Sequence, residues 1–203
     1  MEVSFLEENR PSFEALYEDF LHPNPNINRE AFHKMVAYWP EESMARLILN
    51  LNKDDIEIRR KSIKVLGLFG DRAILPVMKV FFRSKDLIIR TSCLKVFIKV
   101  ASLEKFDYLP KSLEKVIEHS LIDENPQIIL SLVSLLRQLG KHGLTTLIKM
   151  SKDNNVLKAK ASVTAIGEIN EPNARNYLIE LSKDSSVDAL TRESVMYALE
   201  SYL

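Results

Sequence analysis

The stretch Asp55-Ile56-Glu57-Ile58-Arg59-Arg60-Lys61-Ser62-Ile63-Lys64-Val65-Leu66-Gly67-Leu68-Phe69-Gly70 decides the fold. Apolar or small residues recur at 58, 62, 65, 66 and 69, which is the spacing of one helical face. Asp55 stands where a carboxylate caps the free amides of a first turn. Gly70 stands where a helix stops. The segment therefore predicts a helix with one buried face and a polar face opposite.

The same pattern returns along the chain. Lys160-Ala161-Ser162-Val163-Thr164-Ala165-Ile166-Gly167 lies over Arg60 to Gly67. Ile89-Arg90 with Cys93 and Val96, and Arg192 with Val195, Ala198 and Leu199, repeat it again. Gln127-Ile128 through Gly140 is a more divergent copy, and Asn26-Ile27 through Val36 is the first. With Ile27, Ile58, Ile89, Ile128, Lys158 and Thr191 as equivalent positions, the spacings are 31, 31, 39, 30 and 33. Each copy follows another amphipathic segment, at 12–21, 41–51, 73–83, 109–121, 144–151 and 172–182. Two helices per unit, six units, predict an all-α protein. No pair can bury its apolar face alone, so neighbours must stack. The turn His22-Pro23-Asn24-Pro25-Asn26 and the Asn125-Pro126 step separate helices, because a residue before proline avoids helical geometry. Asp86 marks another helix start.

Composition narrows the function classes. Lys+Arg and Asp+Glu are both 28 in 203 residues, which speaks against broad nucleic-acid binding. Cys93 is the only cysteine, so no intrachain disulfide forms and a reducing compartment fits. Residues 1–8 are acidic and lack a basic-then-apolar leader pattern, and no 18-residue uncharged apolar run predicts a membrane span. His22, His33, His119 and His142 have no metal-ligand spacing, so no metal is expected. There is no Gly-rich phosphate loop and no nucleophile elbow.

Ile58 to Gly70, read as Ile-Arg-Arg-x-Ser-x-x-Val-Leu-Gly-x-x-Gly, resembles HEAT-like repeats of the phycobilin lyase type. Two further segments are similar to the small E/F- and Y/Z-type subunits of that family. One is Leu21-His22-Pro23-Asn24-Pro25-Asn26 with Ala31-Phe32 and Met35; the other is Tyr38-Trp39-Pro40-Glu41-Glu42-Ser43. The extra residues at 101–110 lengthen one connection and mark a bend in the superhelix or a domain hinge; the resemblance implies a right-handed α-solenoid of about six HEAT-like helix pairs, one domain over residues 1–203. It implies a phycobiliprotein biogenesis factor, either a bilin lyase subunit or a chaperone. Its partners would be a phycobiliprotein α or β subunit and a sister HEAT-repeat subunit in a heterodimer. No cofactor would be tightly bound, but a phycobilin (phycoerythrobilin or phycocyanobilin) would be held transiently. The location would be the cytoplasm, or the stroma of a plastid. A generic interaction scaffold without a ligand is the alternative.

Candidate residues follow from position. Arg59, Arg90 and Arg192 recur at one place in the repeat, with Asp55 and Asp86 four residues before the first two. They read as a structural ladder, each arginine bonding a capping aspartate or a turn carbonyl, or else as a row of guanidinium groups for propionates. In such solenoids the second helices line the inner face. Arg60, Lys61, Lys64, Lys95, Lys99, Lys158 and Lys160 are polar positions on them, suited to solvent, propionates or an acidic partner. Tyr38, Trp39, Phe32 and His33 cluster before Pro40, with Phe32 at core spacing. Tyr38 and Trp39 either cap the first repeat or present an aromatic contact surface. Cys93 lies in register with Ser62 on the small-residue face and reads as a buried thiol, with a transient bilin carrier as the alternative. Catalytic residues are not assignable, and orientation of a held chromophore would be the main catalytic factor.

Overall fold

Side chains that cap the first turns set several of the helix starts. In the computed structural model, which describes residues 10–200 except 186 and 188, twelve α-helices occur among the described residues and no strand does. The acidic residues 1–8 lie outside them. The helices are α1 (Phe13–Leu21), α2 (Pro25–Tyr38), α3 (Pro40–Asn50), α4 (Ile56–Leu68), α5 (Ile74–Arg83) and α6 (Leu87–Leu103), then α7 (Lys111–Leu121), α8 (Pro126–Gln138), α9 (Lys141–Met150), α10 (Val156–Gly167), α11 (Pro172–Lys183) and α12 (Ala189–Glu200). They form the six consecutive pairs expected. Ser12, Asn24, Asp55, Asn125 and Asn155 each accept an amide of the first turn they precede.

Two starts differ from the periodicity. A 3₁₀ turn at Gly70–Ala73 carries the chain into α5, so that helix opens at Ile74. The helix expected at 144–151 opens earlier, at Lys141, because Gly140 at φ 55° turns the chain tightly out of α8. A Cβ added at Gly143 would lie 2.0 Å from the Leu136 carbonyl oxygen, so glycine alone lets α9 leave α8 so abruptly.

The helices fall into two compact units, Met1–Leu103 and Glu104–Leu203, each of three pairs. In the first, α2 packs on α4 and α4 on α6, so the second helices form the inner layer; α1, α3 and α5 each pack on their own partner. In the second unit α8, α10 and α12 stack in the same way, with α7, α9 and α11 paired to them. Small residues permit this stacking. Ser62, Cys93 and Ser162 are fully buried at one register position of α4, α6 and α10. Around them Val65, Leu66, Leu94, Phe97, Val163 and Ile166 are wholly excluded from solvent. Burying each large side chain contributes roughly 1.5–3 kcal/mol. Asn50 brings a polar network into the first unit: its amide donates to Ser62 Oγ (3.1 Å) and Tyr17 Oη (3.1 Å). Phe13, Tyr17, Phe20 and Phe32 pack ring against ring in succession, with centroids 5.9, 5.3 and 5.7 Å apart, the middle pair stacked and the outer two tilted, and hold α1 against α2.

Candidate functional site

The site is built on the second helices of the first unit. Positions four apart share a helical face, so Arg29 and His33 of α2 form one short stripe, and Lys64 and Leu68 of α4 another. Lys99 comes from α6. These side chains, with Asn28 and Phe32, surround an open groove of about 380 Å³. Phe32 makes the apolar floor; it is 7% exposed and packs on Phe20. Arg29, His33 and Lys64 are exposed, while Leu68 and Lys99 are half-buried. No carboxylate lines the groove.

Gly67 positions Lys99. A Cβ built at Gly67 would lie 2.2 Å from Lys99 Cγ and 2.8 Å from its Cβ. The aliphatic stem of Lys99 therefore lies directly on α4, and its ammonium is carried to the groove beside Lys64. In the second unit the matching glycine, Gly167, meets Ala198 instead, with 2.7 Å to its Cβ. The crossing is equally close there but delivers no charge. Glu168, at the register of Leu68, pairs with Arg137 of α8 at 2.6 Å.

The other expected residues stand elsewhere. Lys61 donates its Nζ to the carbonyls of Leu21 (3.0 Å) and His22 (2.9 Å), which closes the C-terminus of α1. Lys158 does the same in the second unit, to Leu121 O (3.1 Å) at the end of α7 and to Glu124 Oε1 (2.8 Å). Arg60 pairs with Glu57 of its own helix at 2.9 Å. Lys95 is exposed on α6 and Lys160 half-buried on α10; neither lines the groove.

Arg59 donates to the carbonyls of Lys53 and Asp54 (3.0 Å to the latter). Arg192 donates to those of Asp184, Ser185 and Val187, at 3.1–3.4 Å. Both therefore bond turn carbonyls. The Asp55 carboxylate is engaged with the amides of Glu57 and Ile58, and that of Asp86 with the amide of Ile89. Arg90 lies over the Phe81 ring, 4.9 Å from its centroid.

The two N-terminal segments are braced internally. His22 Nδ1 accepts the Asn24 amide (3.0 Å), and Asn28 Nδ2 donates to the His22 carbonyl (3.1 Å). Trp39 is half-buried, donates its indole N–H to Pro11 O (2.9 Å) and lies under the Arg10 guanidinium. Ser43 Oγ donates to the Met35 carbonyl (3.0 Å). Tyr38, 39% exposed, does not line the groove. Burial pushes the Cys93 thiol up to about 12, so no thiolate is available at neutral pH and the carrier-thiol alternative is set aside. Among the described residues no group of three His, Cys, Asp or Glu is placed to hold a metal, and no helix is long and apolar enough to cross a membrane.

The residue that sequence reasoning missed is Arg29. Arg29, Lys64 and Lys99 stand 35 residues apart, whereas the core register repeats every 31. Each cation is thus displaced by four residues, about one helical turn, from the previous one. Their row crosses α2, α4 and α6 obliquely and never shares a column of the repeat.

Fold and groove define a helical-repeat protein of stacked helix pairs with an open basic groove in its first unit. No family model matches the chain. It is 23% identical over 189 residues to the uncharacterized phycocyanin operon protein Z of Pseudanabaena tenuis (strain PCC 7409), covering 93% of this chain and 94% of that protein. It is also 23% identical over 159 residues to the bilin biosynthesis protein CpeZ of Synechococcus sp. (strain WH8020), covering 75% of this chain and 86% of that one. Among solved structures it is similar to an engineered protein (TM-score 0.46, 14% identity, 93% of this chain and 95% of that one). A designed armadillo repeat protein in complex with a (KR)4 peptide matches with TM-score 0.44 and 14% identity, over 95% of this chain and all of that one.

Proposed function

We propose that the chain is a phycobiliprotein biogenesis factor. In this reading it assists attachment of a linear tetrapyrrole to cysteines of a phycobiliprotein subunit, as a lyase subunit or as a chaperone. The observation that carries this reading is the similarity over 93% of the chain to a protein named for a phycocyanin operon and over 75% of it to one named for bilin biosynthesis. A stacked-pair fold suits the task, since each unit offers an exposed helix face to a client while its core stays intact.

The chemistry asks little of the helper's own side chains. The client's cysteine adds across a carbon–carbon double bond of the bilin: an S–C bond forms, the π bond breaks, and the thiol proton ends on the neighbouring carbon. No oxidant or leaving group is involved. What a helper supplies is proximity and orientation of two reactants, which lowers the entropic part of the barrier. Arg60, Lys95, Lys160 and Tyr38, exposed or half-buried outside the groove, are offered as contacts to the client or to a sister subunit. The setting would be the cytoplasm or a plastid stroma.

Co-expression tests the reading. The chain is produced with a phycobiliprotein subunit, a bilin source and candidate sister subunits. Covalent bilin that forms only when the chain is present identifies a lyase subunit. A larger soluble yield of client, independent of bilin, identifies a chaperone. No change in any combination would remove the proposal.

A further inference from the structure

We infer that the groove of the first unit binds an elongated apolar molecule carrying two carboxylates, which, if the biogenesis reading holds, is the tetrapyrrole with its two propionates. The charge pattern is the first argument. The chain has equal numbers of acidic and basic residues, and several cations of the second helices are already engaged. Arg60 pairs with Glu57, Arg137 with Glu168, and Lys61 and Lys158 cap helix ends. Arg29, Lys64 and Lys99 have no side-chain ion pair or hydrogen bond among the described residues. Unpaired surface cations are ordinary. Three of them, from three different helices around one buried phenylalanine and with no carboxylate in the wall, form a concentrated positive field over an apolar floor.

That combination selects the ligand class. An apolar floor with a few convergent polar groups is the usual make-up of a small-molecule site, and about 380 Å³ lies within its size range. A guanidinium and two ammonium groups hold carboxylates by charge-assisted bonds. The oblique row, one helical turn further along each successive helix, separates the cations along the groove and matches a molecule whose acids are spaced apart. Gly67 is the positioning residue, because only without a Cβ there can the Lys99 stem lie on α4. The second unit keeps the equivalent close crossing but presents Ala198 and the closed Arg137–Glu168 pair, so among the described residues the site is not repeated there.

The purified full chain is titrated with biliverdin, followed by visible absorbance. The expected result is one site, with affinity lowered about tenfold or more in the double variant Arg29→Gln/Lys64→Gln and unchanged in Lys79→Gln, an exposed lysine of α5 outside the groove. Biliverdin dimethyl ester, which lacks the carboxylates, should lose at least as much affinity. Gly67→Ala should weaken binding although every charge is kept, while Gly167→Ala, a similar steric insult in the other unit, should not; helical circular dichroism and the melting temperature verify folding. Equal binding of acid and ester, an unaffected double variant, or displacement by a polyglutamate peptide at equal carboxylate concentration would overturn the inference. The outcome is separable from that of co-expression. Groove-dependent biliverdin binding in a chain without effect on co-expression keeps the site and removes the biogenesis reading. Groove variants that lose nothing in either assay, while the wild type promotes attachment, do the reverse.

Discussion

Lys158 places its Nζ 2.8 Å from Glu124 Oε1, with its own side chain 4% exposed and that of Glu124 70% exposed. A nearly buried ammonium is thus neutralised by a carboxylate standing in solvent, while it also closes α7 at Leu121. Hydrogen bonds from Lys158 first, then from Asn155, hold the Glu124 carboxyl below its usual range. A depressed carboxyl contributes stability that is complete above its unfolded value of 4.5 and is lost as pH falls through the lower folded value. The urea midpoint of Glu124→Gln should therefore lie below that of the wild type at neutral pH and converge on it in acid. A gap that widens on acidification would contradict this.

Replacing Lys158 itself should do more. Lys158→Ala leaves the Leu121 carbonyl and the cavity of a buried side chain without a partner, at a cost of about 2–3 kcal/mol. Lys61→Ala removes the matching cap in the first unit, where Lys61 is half-buried and water can replace it. Its cost should be about 1 kcal/mol or less. Chemical denaturation of both variants checks the order.

The buried Asn50 amide ties α3 to α1 and α4 through Tyr17 and Ser62. Asn50→Leu leaves the Tyr17 hydroxyl without its partner, while Ser62 keeps its bond to the Ile58 carbonyl, and should cost about 1–3 kcal/mol. Tyr17→Phe removes a single partner and should cost about half as much. Equal effects would show that packing rather than hydrogen bonding dominates there.

Cys93 is fully buried. Its thiol should resist alkylation in the native chain and react at once in denaturant, as read by mass spectrometry. With its pKa raised from 9.0 to about 12, the neutral thiol contributes stability that is complete below pH 9.0 and is lost as pH rises towards 12. Cys93→Ala should flatten that alkaline limb and leave attachment on co-expression intact. Complete loss of attachment with an intact fold would restore the carrier reading.

Glycines at three crossings should rank by what their Cβ would meet. Gly143→Ala drives a methyl into the Leu136 backbone and should be the most damaging, at about 3 kcal/mol or more. Gly167→Ala meets the Cβ of Ala198 and Gly67→Ala the Cγ and Cβ of Lys99, both close to the backbone of the facing helix, so each should cost about 1–3 kcal/mol. Melting temperatures of the three variants test the order.

Much of the fold was legible because its signals are local. Of the face at 58, 62, 65, 66 and 69, Ser62, Val65 and Leu66 are buried in α4 and Phe69 just beyond its end, Ile58 is half-buried, and Asp55 caps the helix. The opening of α9 was not legible, because it depends on the fit of Gly143 against a carbonyl of the preceding helix. Of the candidate site, Lys64 and Lys99 were visible as polar positions on second helices, and His33 as part of the cluster before Pro40. Nothing in their spacing separated them from Lys61 or Arg60, which the fold uses for capping and for an intrahelical pair.

Sequence alone determined the all-α class, the six helix pairs and the small-residue face that lets second helices stack, since periodicity, caps and proline act within a turn or two of themselves. Tertiary structure alone decided which cations are spent and which are open. That depends on what a side chain meets on the next helix, some 30 residues away in sequence. Gly67 shows the difference: its register is plain in the repeat, but that it seats Lys99 beside Lys64 follows only from the distance between α4 and α6.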